Sequence, residues 1–117
     1  MHIEFFYNFC LSLPHTEECF PFGPDNLVFK VGGKIYAITD LNSEVFSVNL
    51  KCDPENAIQW REEFPEIQPG YHMNKKHWNT INFQGELTDD FLKQLILHSY
   101  ELVYNSLSKT KKISLEL

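Results

Sequence analysis

Cysteine is scarce in this sequence: Cys10, Cys19 and Cys52 are an odd, scattered set with no CxxC pair. That excludes a disulfide framework and leaves reduced, mostly buried thiols as the expectation. Long apolar runs are absent too, so no segment can span a bilayer as a helix and no membrane partner is expected. Residues 1–13 carry Glu4 but no Lys or Arg, and no small-residue cleavage site follows them, so no export signal is read there and a cytoplasmic location is expected. The sequence also lacks a GxSxG elbow, a phosphate-cradling glycine loop and a dinucleotide fingerprint. Without a complete acid–base or nucleophile constellation no catalytic residue is assigned and an enzyme is not expected. The alternative, an enzyme working through His72 and His77, has only a His–Lys pairing behind it. A metal is not expected either, because those two histidines stand five apart with no Cys or carboxylate between them, and zinc wants further ligands. No cofactor is implied.

What is present is a chain of 117 residues, enough for one domain with one core, here residues 1–117. Aromatics make up 15 %, ten of them Phe, and such rings bury much area in little length. The net charge of −6 argues against a generic nucleic-acid binder, but its distribution is uneven. Residues 1–26 and 53–70 each carry −4, whereas 71–85 and 109–117 each carry +2. Such polarity could leave a basic face on an acidic body, although most charge clusters only solvate a surface.

Hydrophobic spacing predicts an amphipathic helix through Ile3, Phe6, Cys10 and Leu13, widened by Phe5 and Phe9 and ended by Pro14. An irregular connection from His15 to Asn26, one that could begin a strand, follows. Leu27–Val31 and Lys34–Thr39 flank Gly32-Gly33 as a hairpin, and Val45–Lys51 reads as a third strand. Both faces of the second strand are partly apolar, so the face not covered by helices is either partly occluded or used in binding. Asp53-Pro54-Glu55 starts a helix that runs to about Phe64, and Pro65–Gly70 reads as a loop. A strand from Trp78 to Phe83 precedes a long helix capped by Thr88, with Leu92, Leu95, Ile96, Ser99 and Val103 as its buried stripe. From Ser108 on the chain is expected to fray. The order α-β-β-β-α-β-α is an α+β pattern, an antiparallel sheet with helices packed on one face.

The stretch from Tyr71 through His72, Met73, Asn74, Lys75, Lys76, His77 and Trp78 to Ile81 resembles the hallmark of the MmcQ/YjbR family. The Pro14, Glu17, Phe22-Gly23 entry, the Lys34-Ile35-Tyr36-Ala37 hairpin, the Leu50–Glu55 junction and the closing Ser99–Val103 are similar to it as well, so the resemblance covers essentially the whole chain. It implies a CyaY-like (frataxin-like) fold with a double-wing arrangement and DNA binding, by fold analogy. The first helix departs from the frataxin pattern in having no acidic ridge beyond Glu4, so iron handling is not implied.

Read as chemistry, the same segment suits nucleic acid or a small anion. Lys75 and Lys76 offer phosphate-pairing charge, with Lys51 as a further basic residue. His72 and His77 can donate to phosphate or sugar, Asn74 carries the donor–acceptor pair that reads an adenine edge, and Trp78 offers a stacking surface. Each has a blander role: Trp78 as a core aromatic, Asn74 as the cap of a short turn, His72 as a loop anchor, Lys76 as a solvated side chain. The expected function is a non-catalytic binding domain with weak, salt-sensitive DNA association. The alternative is a protein-interaction or small-anion module in which the segment is partly a structural clasp.

Overall fold

Alternation along the strands and helical spacing between them divide the side chains into one dry layer and one open face. The computed structural model describes residues 1–117. Helix α1 (Ile3–Ser12) leads into strands β1 (Thr16–Cys19), β2 (Asn26–Val31), β3 (Lys34–Asp40) and β4 (Ser47–Lys51). Helix α2 (Pro54–Glu63), strands β5 (Ile67–Pro69) and β6 (Trp78–Asn82), and helices α3 (Asp89–Ser106) and α4 (Lys109–Glu116) complete the chain. The fold is α+β: six strands in the order β1-β2-β3-β4-β6-β5, every neighbouring pair antiparallel, and four helices.

Leu27, Phe29, Ala37, Val48, Leu50, Ile67 and Ile81 point to the helix side, where they meet Phe6 and Cys10 of α1 and Leu92, Leu95 and Ile96 of α3. Phe6 is fully buried and meets Phe29, Phe46 and Phe83 edge to face, each pair of centroids 5.6 Å apart. Opposed quadrupoles favour that geometry over stacking. Helix α2 docks on α3 through Trp60, whose ring meets Phe91 and His98 edge to face.

The local signals act where they stand. Gly32 and Gly33 take positive φ of 59° and 81°, as a two-residue hairpin turn demands. Asp53 Oδ1 accepts from Glu55 N (3.0 Å) and Asn56 N (3.3 Å), and Thr88 Oγ1 accepts from Phe91 N (3.1 Å), so both caps satisfy otherwise orphaned donors.

Three elements depart from the expected order. The connection after Pro14 contains strand β1, an edge strand with two exposed carboxylates and no apolar alternation to betray it. The expected loop Pro65–Gly70 holds β5, three residues paired to β6. The tail does not fray into coil: Ser108 Oγ accepts from Lys111 N (3.1 Å) to cap α4, and Lys112 Nζ lies 5.5 Å from the centroid of the Tyr104 ring. Smaller shifts have the same origin in packing. The third strand begins at Ser47, leaving Val45 exposed, and Ile3 and Phe5 lie outside the buried stripe of α1. Tyr36 and Ala37 are both buried, because a register shift between Phe29 and Lys30 breaks strict alternation opposite them.

Helix α3 is stitched to the sheet by Ser99, which is fully buried. Its hydroxyl accepts from Lys51 N (2.8 Å) and donates to Tyr36 O (2.6 Å). It therefore stands as a wedge where β3 and β4 part, beyond their last bridged pair, Ala37 and Leu50. One residue earlier, His98 Nε2 accepts from Asp53 N (3.2 Å), so this nitrogen must be without a proton.

Burial is the largest cause lowering the His98 pKa from 6.5, opposed by the charges of Asp53 and Glu101. In the unfolded chain His98 gains its proton near 6.5, whereas the folded protein resists until lower pH. Over that window the unfolded state binds more protons, so stability rises with pH; the contribution is complete above 6.5 and is lost as pH falls through the folded value. The melting temperature is expected to fall between pH 7 and pH 5. In His98→Gln, whose amide oxygen still accepts from Asp53 N, the fall should be shallower. An unchanged profile in that variant would show that His98 is not the group responsible.

Candidate functional site

The turn between β5 and β6 holds Tyr71 to His77, and its backbone is bonded inward almost throughout. Gly70 N donates to Trp78 O (2.9 Å) and Trp78 N to Asn74 O (3.0 Å), closing the turn on itself. Gly70 is required here by space, since a Cβ on it would come 2.8 Å from Trp78 Cβ. Asn74 Oδ1 accepts from Lys76 N (2.9 Å), so Asn74 caps the short turn with the oxygen proposed for base reading. Lys75 Nζ donates to Gly70 O (2.9 Å), and His77 O accepts from Cys52 N (2.7 Å) at the head of α2.

The chain's one arginine completes the clasp. Arg61 on α2 donates through Nε to Asn79 Oδ1 (2.7 Å), and through Nη2 to Trp78 O (3.1 Å) and to Lys75 O. Asn79 is 1 % exposed and sits on the helix side of β6. A guanidinium fork is suited to this task, with rigid donors and no acceptor. Neither Arg61 nor Asn79 stood among the candidate residues. The signal was there in a lone arginine among five acids in residues 53–70, set one turn before the end of a helix.

Other heads of the segment stay in solvent. Tyr71 is 69 % exposed, and its ring lies 4.0 Å, centroid to centroid, from that of His72. His72 is exposed at φ 59°, and its imidazole makes no hydrogen bond within the chain. Lys76 is exposed, His77 and Trp78 are half-buried, and Trp78 stands opposite Lys51 on the helix-free face of the sheet. Neither Lys51 nor Lys76 forms an ion pair. The structure thus divides the candidates: Asn74 and Lys75 hold the turn, Lys51 and Trp78 lie on the open face, His72 lines its cleft, and within the turn Lys76 is exposed and His77 half-buried.

That face carries a cleft of about 410 Å³. Its floor runs along β3 through Ile35 and Ile38, with exposed Asp40 at the rim, flanked by Asn26 on β2 and Asn49 on β4. One wall is Phe22, 62 % exposed on the turn after β1; the other is Tyr71, His72 and Met73. Asn49 accepts through Oδ1 from Thr80 Oγ1, which in turn accepts from Tyr71 N (2.9 Å), so the floor also positions the wall. Charge is graded along the same face. Lys51 marks one end of β4, whereas Ser47 at the other end borders a polar hollow lined by Glu66 and Glu86. Lys112 of α4 lies over the Tyr104 ring of α3, in the helix layer, and does not extend this surface.

Two of the three thiols are buried. Burial pushes the thiols of Cys10 and Cys52 up to about 12, leaving neither a thiolate at neutral pH. No group of three His, Cys, Asp or Glu side chains comes together in a way that could hold a metal ion. What the arrangement offers is an aromatic-walled cleft with polar floor groups, beside a rigid loop bearing a lysine and two histidines.

A family model described as YjbR matches residues 11–102. YbdF of Escherichia coli O157:H7 is 43 % identical over 99 residues, covering 85 % of this chain and 81 % of that protein. YjbR of Escherichia coli K12 is 28 % identical over 112 residues, covering 96 % and 95 %. Among solved structures, Deinococcus radiodurans protein DR2400 superposes with a TM-score of 0.91 at 38 % identity, over 98 % of this chain and 88 % of that one. A Pseudomonas syringae protein superposes with a TM-score of 0.76 at 30 % identity, over 88 % and 99 %.

Proposed function

The chain belongs to the YjbR family, and on that premise we propose that it is a non-catalytic domain that binds nucleic acid across the helix-free face of its sheet. The observation that carries this reading is the contrast within one loop. Its backbone is pinned by Arg61, Lys75 and Asn74, yet Tyr71 and His72 stand exposed in the wall of the cleft and Lys76, further along the same loop, is exposed as well. Ordering these side chains in advance lowers the entropy cost of binding. Lys51 and Lys76 supply phosphate contacts and His72 and His77 hydrogen-bond donors; Asn74 and Lys75 serve by fixing the loop. In this reading the fold is CyaY-like, and the turns bearing Phe22 and Tyr71 are its two wings.

With a net charge of −6 the association is weak and strongly dependent on salt. For single strands each phosphate contact contributes about 0.7 to the slope of log affinity against log salt, so Lys51→Ala with Lys76→Ala should lower the slope by about 1.4. Fluorescence anisotropy of a labelled oligonucleotide between 20 and 200 mM salt, roughly the range over which counterion release is readable, measures it. An unaltered slope in the double variant would place the contacts elsewhere. The second reading, a small-anion or protein-binding module, would be favoured by a stable partner protein with no oligonucleotide association at low salt.

A further inference from the structure

The cleft beside the loop has features that phosphate contacts do not use. Phe22 and Tyr71 present large ring surfaces to solvent from opposite walls, over a floor of Ile35 and Ile38. A volume of about 410 Å³ is within the range of small-ligand sites. Three polar side chains converge on it with unspent capacity. Asn26 makes no side-chain hydrogen bond. Asn49 uses Oδ1 for Thr80, leaving its amide nitrogen free. Asp40 uses Oδ1 for Asn42 N (2.9 Å), leaving Oδ2 free at the cleft's rim.

Aromatic walls accept a planar ring on its faces, and the amide groups beside the floor and the carboxylate at the rim accept its edge. Lys51 is two residues from Asn49 on the same face of the same strand, and His72 lines the wall. A cation beside the cleft and a carboxylate at its rim suit a ligand with an anionic backbone and a hydrogen-donating ring edge. A base within a duplex cannot enter, because its faces are stacked and its pairing edge is occupied.

Resting on the nucleic-acid reading above, we infer that this cleft takes one unpaired base of a single strand, with Asp40 accepting from its exocyclic amino group and Phe22 and Tyr71 enclosing the ring. Cytosine satisfies Asp40 through its N4 amino group, as carboxylates do when they read cytosine. Thymine turns a carbonyl oxygen towards the same carboxylate and is disfavoured. The two pyrimidines have closely similar ring sizes but also differ at N3 and in thymine's methyl group, so the share of the carboxylate is read from Asp40→Asn.

The experiment compares oligo(dC) and oligo(dT) eight-mers on the full chain at low salt, by anisotropy. The dC strand is expected to bind about fivefold more tightly, the worth of one hydrogen bond to a charged acceptor that is partly in solvent. Asp40→Asn keeps an oxygen for Asn42 N and can donate to a carbonyl, so it should abolish or reverse the preference. Tyr71→Ala should lower affinity for both strands about tenfold, the worth of one stacked base, with the salt slope unchanged because no phosphate contact is lost. Equal affinity for dC and dT in the parent protein, unaffected by Asp40→Asn, overturns the base site while leaving nucleic-acid binding intact. Absence of association with either strand overturns the functional reading itself. The mononucleotide dCMP should bind at least tenfold more weakly than the dC strand, since it lacks neighbouring phosphates for Lys51 and Lys76; comparable affinity would assign the cleft to free nucleotides and overturn the strand.

Discussion

Arg61→Ala is expected to destabilise the protein by about 3 kcal/mol and to lower its melting temperature by roughly 10 °C. The substitution removes three charge-assisted donors from Asn79 Oδ1, Trp78 O and Lys75 O. Asn79 is almost wholly inaccessible, so its oxygen would have no water to turn to. Arg61→Lys should recover less than half of the loss, because one ammonium cannot reproduce a planar fork that serves a side chain and two carbonyls together. The loop should also loosen ahead of the core. Tryptic cleavage after Lys75 and Lys76 is expected to accelerate in the variant under conditions where the parent resists. Thermal unfolding and limited proteolysis measure the two effects, and a parent-like melting temperature would show that the loop does not depend on this clasp.

Ser99→Ala carries the second large effect, about 2–3 kcal/mol, through groups that are backbone on both sides. Without the hydroxyl, Lys51 N loses an acceptor and Tyr36 O a donor, at a position enclosed by α3. Water cannot replace a fully buried oxygen without opening the helix–sheet interface. Ser99→Thr should not rescue fully, because its extra methyl enters space already filled. Denaturant unfolding of the three proteins tests this. Undiminished stability in Ser99→Ala would mean that β3 and β4 close directly, Lys51 N on Tyr36 O, and that the wedge is dispensable. Because Lys51 sits at this gap, the same variant also probes whether the parting of the strands positions it.

Sequence made legible what local chemistry determines. Gly32-Gly33 needed only its freedom at positive φ, Asp53-Pro54 and Thr88 only the orphaned donors that follow them, and the stripe of α3 only its period. β1 and β5 escaped because an edge strand is half wet, and a three-residue strand ending in Pro69 leaves no periodicity to count. Pairing across the sheet, a non-local event, decides both. The parity change at Tyr36 and Ala37 is likewise invisible without the register shift opposite.

For the candidate site, the segment Tyr71 to Trp78 was located by its residue types, but the division of labour within it was not. Lys75 and Lys76 are equivalent as letters. One reaches the carbonyl of Gly70 and the other reaches solvent, a difference set by how the turn is wound around Gly70 and Trp78. Phe22, Asn26, Asp40 and Asn49 come from the turn before β2, from β2, from β3 and from β4, and only the sheet order gathers them around one cleft. The two apolar faces of β3 were the one hint that the helix-free side has something to cover it or to bind.

Where nucleic acid lands on the sheet decides whether the open face is a recognition surface. Amide shift mapping of the isotopically labelled protein during titration with a dC eight-mer at low salt locates it directly. The account predicts progressive shifts along Ile38, Asn49, Lys51, Tyr71, His72 and Lys76, with α1 and α3 silent; shifts confined to the helix layer, or none at saturating strand, would contradict it.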